Sequence, residues 1–275
     1  MNVFVPLGPV SMPLNVLLLM LAFALALLLS WWHARQTGVN AEKAIWLVML
    51  AGLLGARVGF VLGSLEAYLS APLSLLDFRD GGFSAGWGLA GIWLATLLIV
   101  HRQVALRTPL LRGVMVVSSV LLVMLALAAL PTSSNRPIPA IAVQSLDGSP
   151  AHLPGFSGKP TVINLWASWC GPCRREMPVL EQAQQDNPDF NVVFLNQGEG
   201  RVTVEEFLRS TGLQLDNVLL DRTTEMGHVL GQRGLPVTLF YDAGGTLNDI
   251  RLGELSRGSL AQRMDALRMN QSEEN

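Results

Sequence analysis

The chain has 275 residues, half of them hydrophobic and only 15% charged, with a net charge of −2. A soluble domain carries about 25% charge, and the average here hides two regions. Residues 1–131 hold seven Lys/Arg against four Asp/Glu, a net +3, while residues 132–275 hold twelve against seventeen, a net −5. The first region reads as membrane-embedded. The second reads as a soluble acidic domain of ordinary size, and its lack of a basic stripe argues against nucleic acid as a partner.

Four apolar stretches come first, at roughly 14–32, 44–63, 84–100 and 113–131. Each is about the 20 residues needed to cross a bilayer. The opening stretch lacks the basic n-region of a signal peptide, since no Lys or Arg precedes Arg35, so an uncleaved helix is expected. The connections set an orientation. Arg35 and Lys43 lie in loop 33–43, and Arg102, Arg107 and Arg112 in loop 101–112, whereas loop 64–83 carries Arg79 against Glu66, Asp77 and Asp80. The positive-inside rule assigns the first and third loops to the cytoplasm and both termini to the outside. Arg57 falls within the second stretch, where a charge is expensive and must snorkel, pair (with Asp77 or Asp80, for example) or serve a function.

Pro131 to Pro139 is polar and proline-rich and reads as an extended tether. Short alternating elements follow. Residues 140–145 and 151–153 suit a hairpin around Asp147-Gly148. Strands are expected at Thr161–Trp166, Asn191–Leu195, Asn217–Leu220, Val237–Tyr241 and Leu247–Leu252. Helices are expected at Pro172–Gln185, Val202–Ser210, Thr223–Leu230 and Ser259–Arg268. The order implies a mixed sheet covered by helices on both faces. The domain limits are then 1–131 for the helical membrane part, 132–139 for the linker, 140–270 for the α/β domain and 271–275 for a tail.

The sequence has two cysteines, Cys170 and Cys173, at C-x-x-C spacing. A disulfide scaffold needs more of them, and zinc needs two further ligands. The four histidines (His33, His101, His152 and His228) are scattered, so no metal is expected. A dithiol pair at a strand-to-helix junction suits thiol–disulfide exchange. The spacer fits one helical turn, and the helix N-terminus turns free N–H groups toward the first sulfur, favouring its thiolate. Cys170, at the junction, is then the attacking nucleophile and Cys173, one turn in, the resolving thiol. Pro172 suits the first turn, where its missing N–H costs nothing. Glu176, three residues after Cys173, shares its helix face and is a candidate to accept and return the resolving thiol's proton, or else a favourable negative charge in the helix's first turns or an ion-pair partner. Glu199 follows the second strand near the same rim, as a partner-surface residue or a plain loop acid. No cofactor beyond a Cys170–Cys173 disulfide is expected.

The segment Trp166-Ala167-Ser168-Trp169-Cys170-Gly171-Pro172-Cys173-Arg174-Arg175-Glu176-Met177-Pro178 resembles the thioredoxin superfamily and, within it, the membrane-tethered TlpA-like reductases. The resemblance covers roughly residues 138–268. It implies a C-terminal α/β thioredoxin-like fold carried on an N-terminal all-α transmembrane bundle of about four helices. It also implies that Trp169, Gly171 and Pro172 line the substrate surface. Leu235-Pro236 then forms a cis-proline turn opposite the dithiol, with the Leu235 backbone pairing with substrate. Asn164 stands where thioredoxin has a buried aspartate, and Glu176 matches the family's C-x-x-C-x-x-E pattern. The implied partners are disulfide-containing periplasmic proteins and a membrane electron donor of DsbD or CcdA type. The implied place is the inner membrane, with the α/β domain in the periplasm. Cytochrome c maturation, copper-site assembly and disulfide repair are all compatible substrates' contexts, and an oxidase or isomerase is the alternative direction.

A second resemblance lies in the membrane half. Gly55-Ala56-Arg57-Val58-Gly59-Phe60-Val61-Leu62, Ala71-Pro72-Leu73, Asp80-Gly81-Gly82-Phe83-Ser84 and Gly88-Leu89-Ala90-Gly91 are similar to part of the prolipoprotein diacylglyceryl transferase family, over roughly residues 44–100. Gly86 stands in place of the family's histidine and Trp87 in place of the first of its paired glycines. The later arginine-glycine-asparagine signature has no counterpart. A shared helical scaffold is implied, and a lipid-modifying transferase with an attached redox domain is the less favoured alternative.

Overall fold

The computed structural model describes residues 4–7, 10–63, 65, 82–128, 136–231 and 234–274. These fall into two compact units, one helical and one α/β. The charged loop expected to oppose Arg57, with Asp77 and Asp80, lies outside the described residues, as do Ala71-Pro72-Leu73 and most of the tether.

The helical unit opens with a short antiparallel pair, β1 (Phe4–Leu7) and β2 (Val10–Pro13), where the sequence reading has only an uncharged tail. Among the described residues four α-helices follow: α1 (Leu14–Thr37), α2 (Glu42–Gly63), α3 (Ala85–Arg102) and α4 (Arg107–Ala128). All four segments are long and apolar enough to cross a membrane. Their outer faces carry exposed leucines such as Leu21, Leu53, Leu97 and Leu127. Lipid accepts such faces, and a helix satisfies its own backbone there. Small residues bring α2 and α3 together. A Cβ on Gly55 would stand 2.8 Å from the Trp87 carbonyl oxygen, and one on Gly91 would stand 2.6 Å from that of Ala51. Backbones touch here because nothing projects between them. Arg57 is buried beside this seam. Its Nη1 donates to the Gly82 carbonyl at 3.0 Å, and its guanidinium lies 5.9 Å from the centres of the Phe60 and Phe83 rings.

In the α/β unit the strands are β3 (Val143–Ser145), β4 (Pro150–Ala151), β5 (Thr161–Trp166), β6 (Asn191–Gln197), β7 (Val218–Asp221), β8 (Val237–Tyr241) and β9 (Leu247–Leu252). They form one sheet in the order β4-β3-β7-β6-β5-β8-β9. β5, β6 and β7 are parallel to one another, and β8 and β9 extend the sheet antiparallel. The central strand β5 is buried along its whole length, as a β-prone apolar run between two covered faces should be. Its alternate side chains feed two cores. Val162 and Trp166 face α5 (Gly171–Asp186), α6 (Arg201–Thr211) and α8 (Arg257–Glu274), while Ile163 and Leu165 face Met226 of α7 (Glu225–Leu230), Ile138, Ile141 and Leu153.

Two differences from the sequence reading concern the ends. The closing helix runs on to Glu274, so 271–274 is helical rather than a tail. The last residues of the expected tether are docked. Ile138 is buried, its N–H donates to the Gly245 carbonyl, and Leu247 N–H donates to the Arg136 carbonyl. The flanking prolines hold this stretch extended, and the isoleucine between them gives it an apolar anchor in the sheet's second core.

Candidate active site

The parallel strands β5, β6 and β7 end at one edge of the sheet, and the chain's two cysteines lie in the connection leaving β5. Cys170 is the N-cap of α5, and Cys170 and Cys173 are joined by a disulfide. Cys170 has extended backbone (φ −80°, ψ 107°), and its Sγ accepts the Cys173 N–H at 3.2 Å. That is the place of an ordinary N-cap oxygen, so the first sulfur sits against the free donors of the helix start. Pro172 occupies the first turn and Pro178 lies within the helix. Cys170 retains 5% exposure and Cys173 none, while Trp169 beside them is 72% exposed. Of the pair, only Cys170 retains any exposure, and a large exposed aromatic is its neighbour in the chain.

The Leu235–Pro236 peptide bond is cis. The β5–β8 register ends at Leu165↔Val237, so this turn leaves β8 at the end of β5 that leads to Cys170. Leu235 packs against the same core that contains both cysteines, and the Pro236 carbonyl accepts the Gly253 N–H at 2.9 Å.

Beneath the dithiol is a buried polar cluster. Glu176 is fully buried and accepts twice, from Asn164 Nδ2 at 2.7 Å and from the Leu255 N–H at 2.9 Å. Asn164 also donates to Thr238 Oγ1 at 3.0 Å, across the β5–β8 pair. Burial pushes the Glu176 carboxyl up from 4.5 to about 7, against the opposing effect of its two donors. Asn164 Oδ1 is buried with no hydrogen-bond partner. Rotation of that amide would give a protonated Glu176 an acceptor. Above this cluster Arg175 and Glu254 pair at the surface, with contacts of 3.0 and 2.5 Å.

A further carboxylate organises the loop before the cysteines. Glu199 Oε2 accepts from the Ser168 N–H at 2.7 Å and from Asn196 Nδ2 at 2.6 Å, and its Oε1 accepts from Ser168 Oγ at 2.5 Å. Next along the edge, fully buried Asp221 accepts from the N–H groups of Glu225 and Met226, both at 2.9 Å, and from Gln197 Nε2 at 3.2 Å. Neither connection is apparent from sequence spacing. The one available signal is an Asn196-x-x-Glu199 step directly after a buried strand.

Both halves of the chain are similar to known proteins. The Redoxin family model matches residues 133–262, and the prolipoprotein diacylglyceryl transferase model matches residues 2–129. The C-terminal half is a thioredoxin-like redoxin domain. ResA, a thiol–disulfide oxidoreductase of Geobacillus thermodenitrificans, is 26% identical over 132 residues, which are 47% of this chain and 75% of that protein. The thioredoxin-like protein YneN of Bacillus subtilis is 28% identical over 131 residues, 46% of this chain and 76% of its own. Among solved structures, a putative thiol:disulfide interchange protein DsbE from Chlorobium tepidum is 25% identical with a TM-score of 0.44, covering 48% of this chain and 96% of its own. With its disulfide at the mouth of α5, the redoxin domain makes this chain a thiol–disulfide oxidoreductase. The transferase-like match is wider than the motif-bearing 44–100 and takes in all four membrane-competent helices.

Proposed function

We propose that the chain is a membrane-anchored reductase of disulfides in proteins outside the cytoplasm. The observation that carries this reading is the asymmetric disulfide at the start of α5, with Cys170 at the helix mouth retaining slight exposure and Cys173 sealed in the core. In the dithiol form, Cys170 attacks a substrate disulfide as thiolate. A substrate thiolate leaves and takes up a proton, and a mixed disulfide remains. Cys173 then gives up its proton and attacks Cys170 Sγ, which releases the second substrate thiolate and closes the pair. Glu176, one helical turn beyond Cys173 and with a carboxyl near neutrality, receives that proton and returns it on re-reduction. Trp169, Gly171 and Pro172 form the surface around the reactive sulfur, and the backbone of Leu235, with Pro236, offers an edge to an extended substrate segment.

The reductive direction is supported by the Gly-Pro spacer, shared with thioredoxin, whose potential is about −270 mV against about −120 mV for strongly oxidising relatives. The outward placement rests on Arg35, Lys43, Arg102, Arg107 and Arg112 flanking the ends of the helices on one side. The sequence has no third cysteine to relay electrons, so a separate membrane thiol carrier, of the DsbD or CcdA kind, re-reduces the pair. Replacing Cys173 by Ser in the full-length membrane protein tests the reading. Mixed disulfides with extracytoplasmic proteins should accumulate and disappear on Cys170→Ser. A steady-state pair found fully oxidised in cells, or thiol labelling that puts the domain in the cytoplasm, would overturn it.

A further inference from the structure

Resting on the proposed exchange at Cys170, we infer that Glu199 is a positioning residue that holds the loop of the attacking cysteine in its reactive place. Three donors converge on its carboxylate: the Ser168 N–H, the Ser168 hydroxyl and the Asn196 amide. Ser168 lies two residues before Cys170, in the short link between β5 and α5. Asn196 belongs to β6 and pairs in register with Trp166, the last residue of β5. The carboxylate therefore ties the connection that carries Trp169 and Cys170 to the rigid end of the neighbouring strand.

The local backbone is arranged for this tie. Gly198 sits at φ +80°, in the left-handed region that favours glycine, and its N–H donates to the Asp221 carbonyl at 2.9 Å. That turn brings Glu199 back over the end of β6, where its own N–H donates to Asn196 Oδ1 at 3.3 Å. A carboxylate only accepts, so it can serve all three donors at once. Hydrogen bonds to an ionised acceptor are also the stronger kind. Among the described residues, no other group accepts from the Ser168 N–H or hydroxyl. Without the tie, the Cys170 sulfur would drift from the helix N-terminus whose donors favour its thiolate.

The tie is geometric, and this separates it from a charge effect. In Glu199→Gln the amide oxygen can still accept from the Ser168 N–H and Asn196, while the amide nitrogen donates to the Ser168 hydroxyl, which rotates to accept. Glu199→Ala removes all three bonds. The test uses the full-length protein in detergent, reduced, with insulin as the disulfide substrate, together with the pH profile of Cys170 alkylation by iodoacetamide. For Glu199→Ala we expect kcat/KM to fall about tenfold or more, since small misplacements of a reacting group are costly. Its alkylation midpoint should rise, because the thiolate loses helix-terminus stabilisation. Glu199→Gln should restore both to near wild type. Ser168→Ala, which deletes only the hydroxyl, should give a smaller loss that does not add to that of Glu199→Ala. A wild-type rate in both Ala variants, or additive losses, would overturn the inference. So would a midpoint that falls in both Glu199→Ala and Glu199→Gln, since that marks a negative charge opposing the thiolate. A wild-type protein inactive on insulin would instead strike at the reductase reading itself.

Discussion

Glu176 links a buried proton to stability, and the size of the link follows from its surroundings. Its carboxyl stands at about 7 in the folded protein against an ordinary 4.5, chiefly because burial disfavours the charge. Below pH 4.5 the folded and unfolded chains both hold the proton. Between 4.5 and about 7 the unfolded chain releases it and the folded chain keeps it, so stability falls as pH rises. Above 7 both are ionised and the loss is complete. At about 1.4 kcal/mol per pH unit, the difference between 4.5 and about 7 amounts to about 3 kcal/mol. About 2.5 kcal/mol of this falls between pH 5 and pH 8. Glu176→Gln removes the titration. Its amide oxygen can keep the Leu255 N–H while its amide nitrogen meets the unpaired Asn164 Oδ1 after the same amide rotation that serves protonated Glu176. The variant should therefore be close to wild type at pH 5 and more stable than it at pH 8, by about 2.5 kcal/mol. Hydrogen exchange of peptides covering β5, in the full-length oxidised protein at several pH values, reports the opening free energy. An equal pH slope in the two proteins would refute the assignment of the titrating group to Glu176.

The seam between α2 and α3 makes a second prediction. Gly91→Val places a side chain against the Ala51 carbonyl and should cost about 1–3 kcal/mol or more, lowering the thermal transition in detergent. Gly86→Val, where a Cβ meets nothing within 4 Å, serves as the tolerant control. Asp221→Ala strands the N–H groups of Glu225 and Met226 and the Gln197 amide. About 2–4 kcal/mol should be lost, read as faster exchange in α7 and the end of β6. The Cys173→Ser variant should accumulate mixed disulfides that reducing agent dissolves, visible as adducts on non-reducing gels.

The parts of the fold that were legible in the sequence are those whose cause is local. β5, β8 and β9 show as β-prone runs bounded by turn residues, and the four membrane-competent helices show as long apolar runs. Cys170, Pro172 and Cys173 announce a helix start by their spacing alone. Glu176 was legible through its helical offset from Cys173, but its high carboxyl pKa was not, because that arises from burial in the assembled core, against the lowering effect of Asn164 and Leu255. The Glu199–Ser168 tie joins residues 31 apart in the chain, and no periodicity encodes such a meeting. The docking of Ile138 was hidden for a different reason. Proline-rich composition describes how a segment extends and says nothing of where one isoleucine finds its pocket.

The sealing of Cys173 has a kinetic consequence. With a single approachable sulfur, the oxidant and the reductant of the pair must visit the same atom, and neither can dock while the other is attached. Turnover then alternates between two half-reactions with no ternary complex. Initial-rate plots against one partner, drawn at several levels of the other, should run parallel.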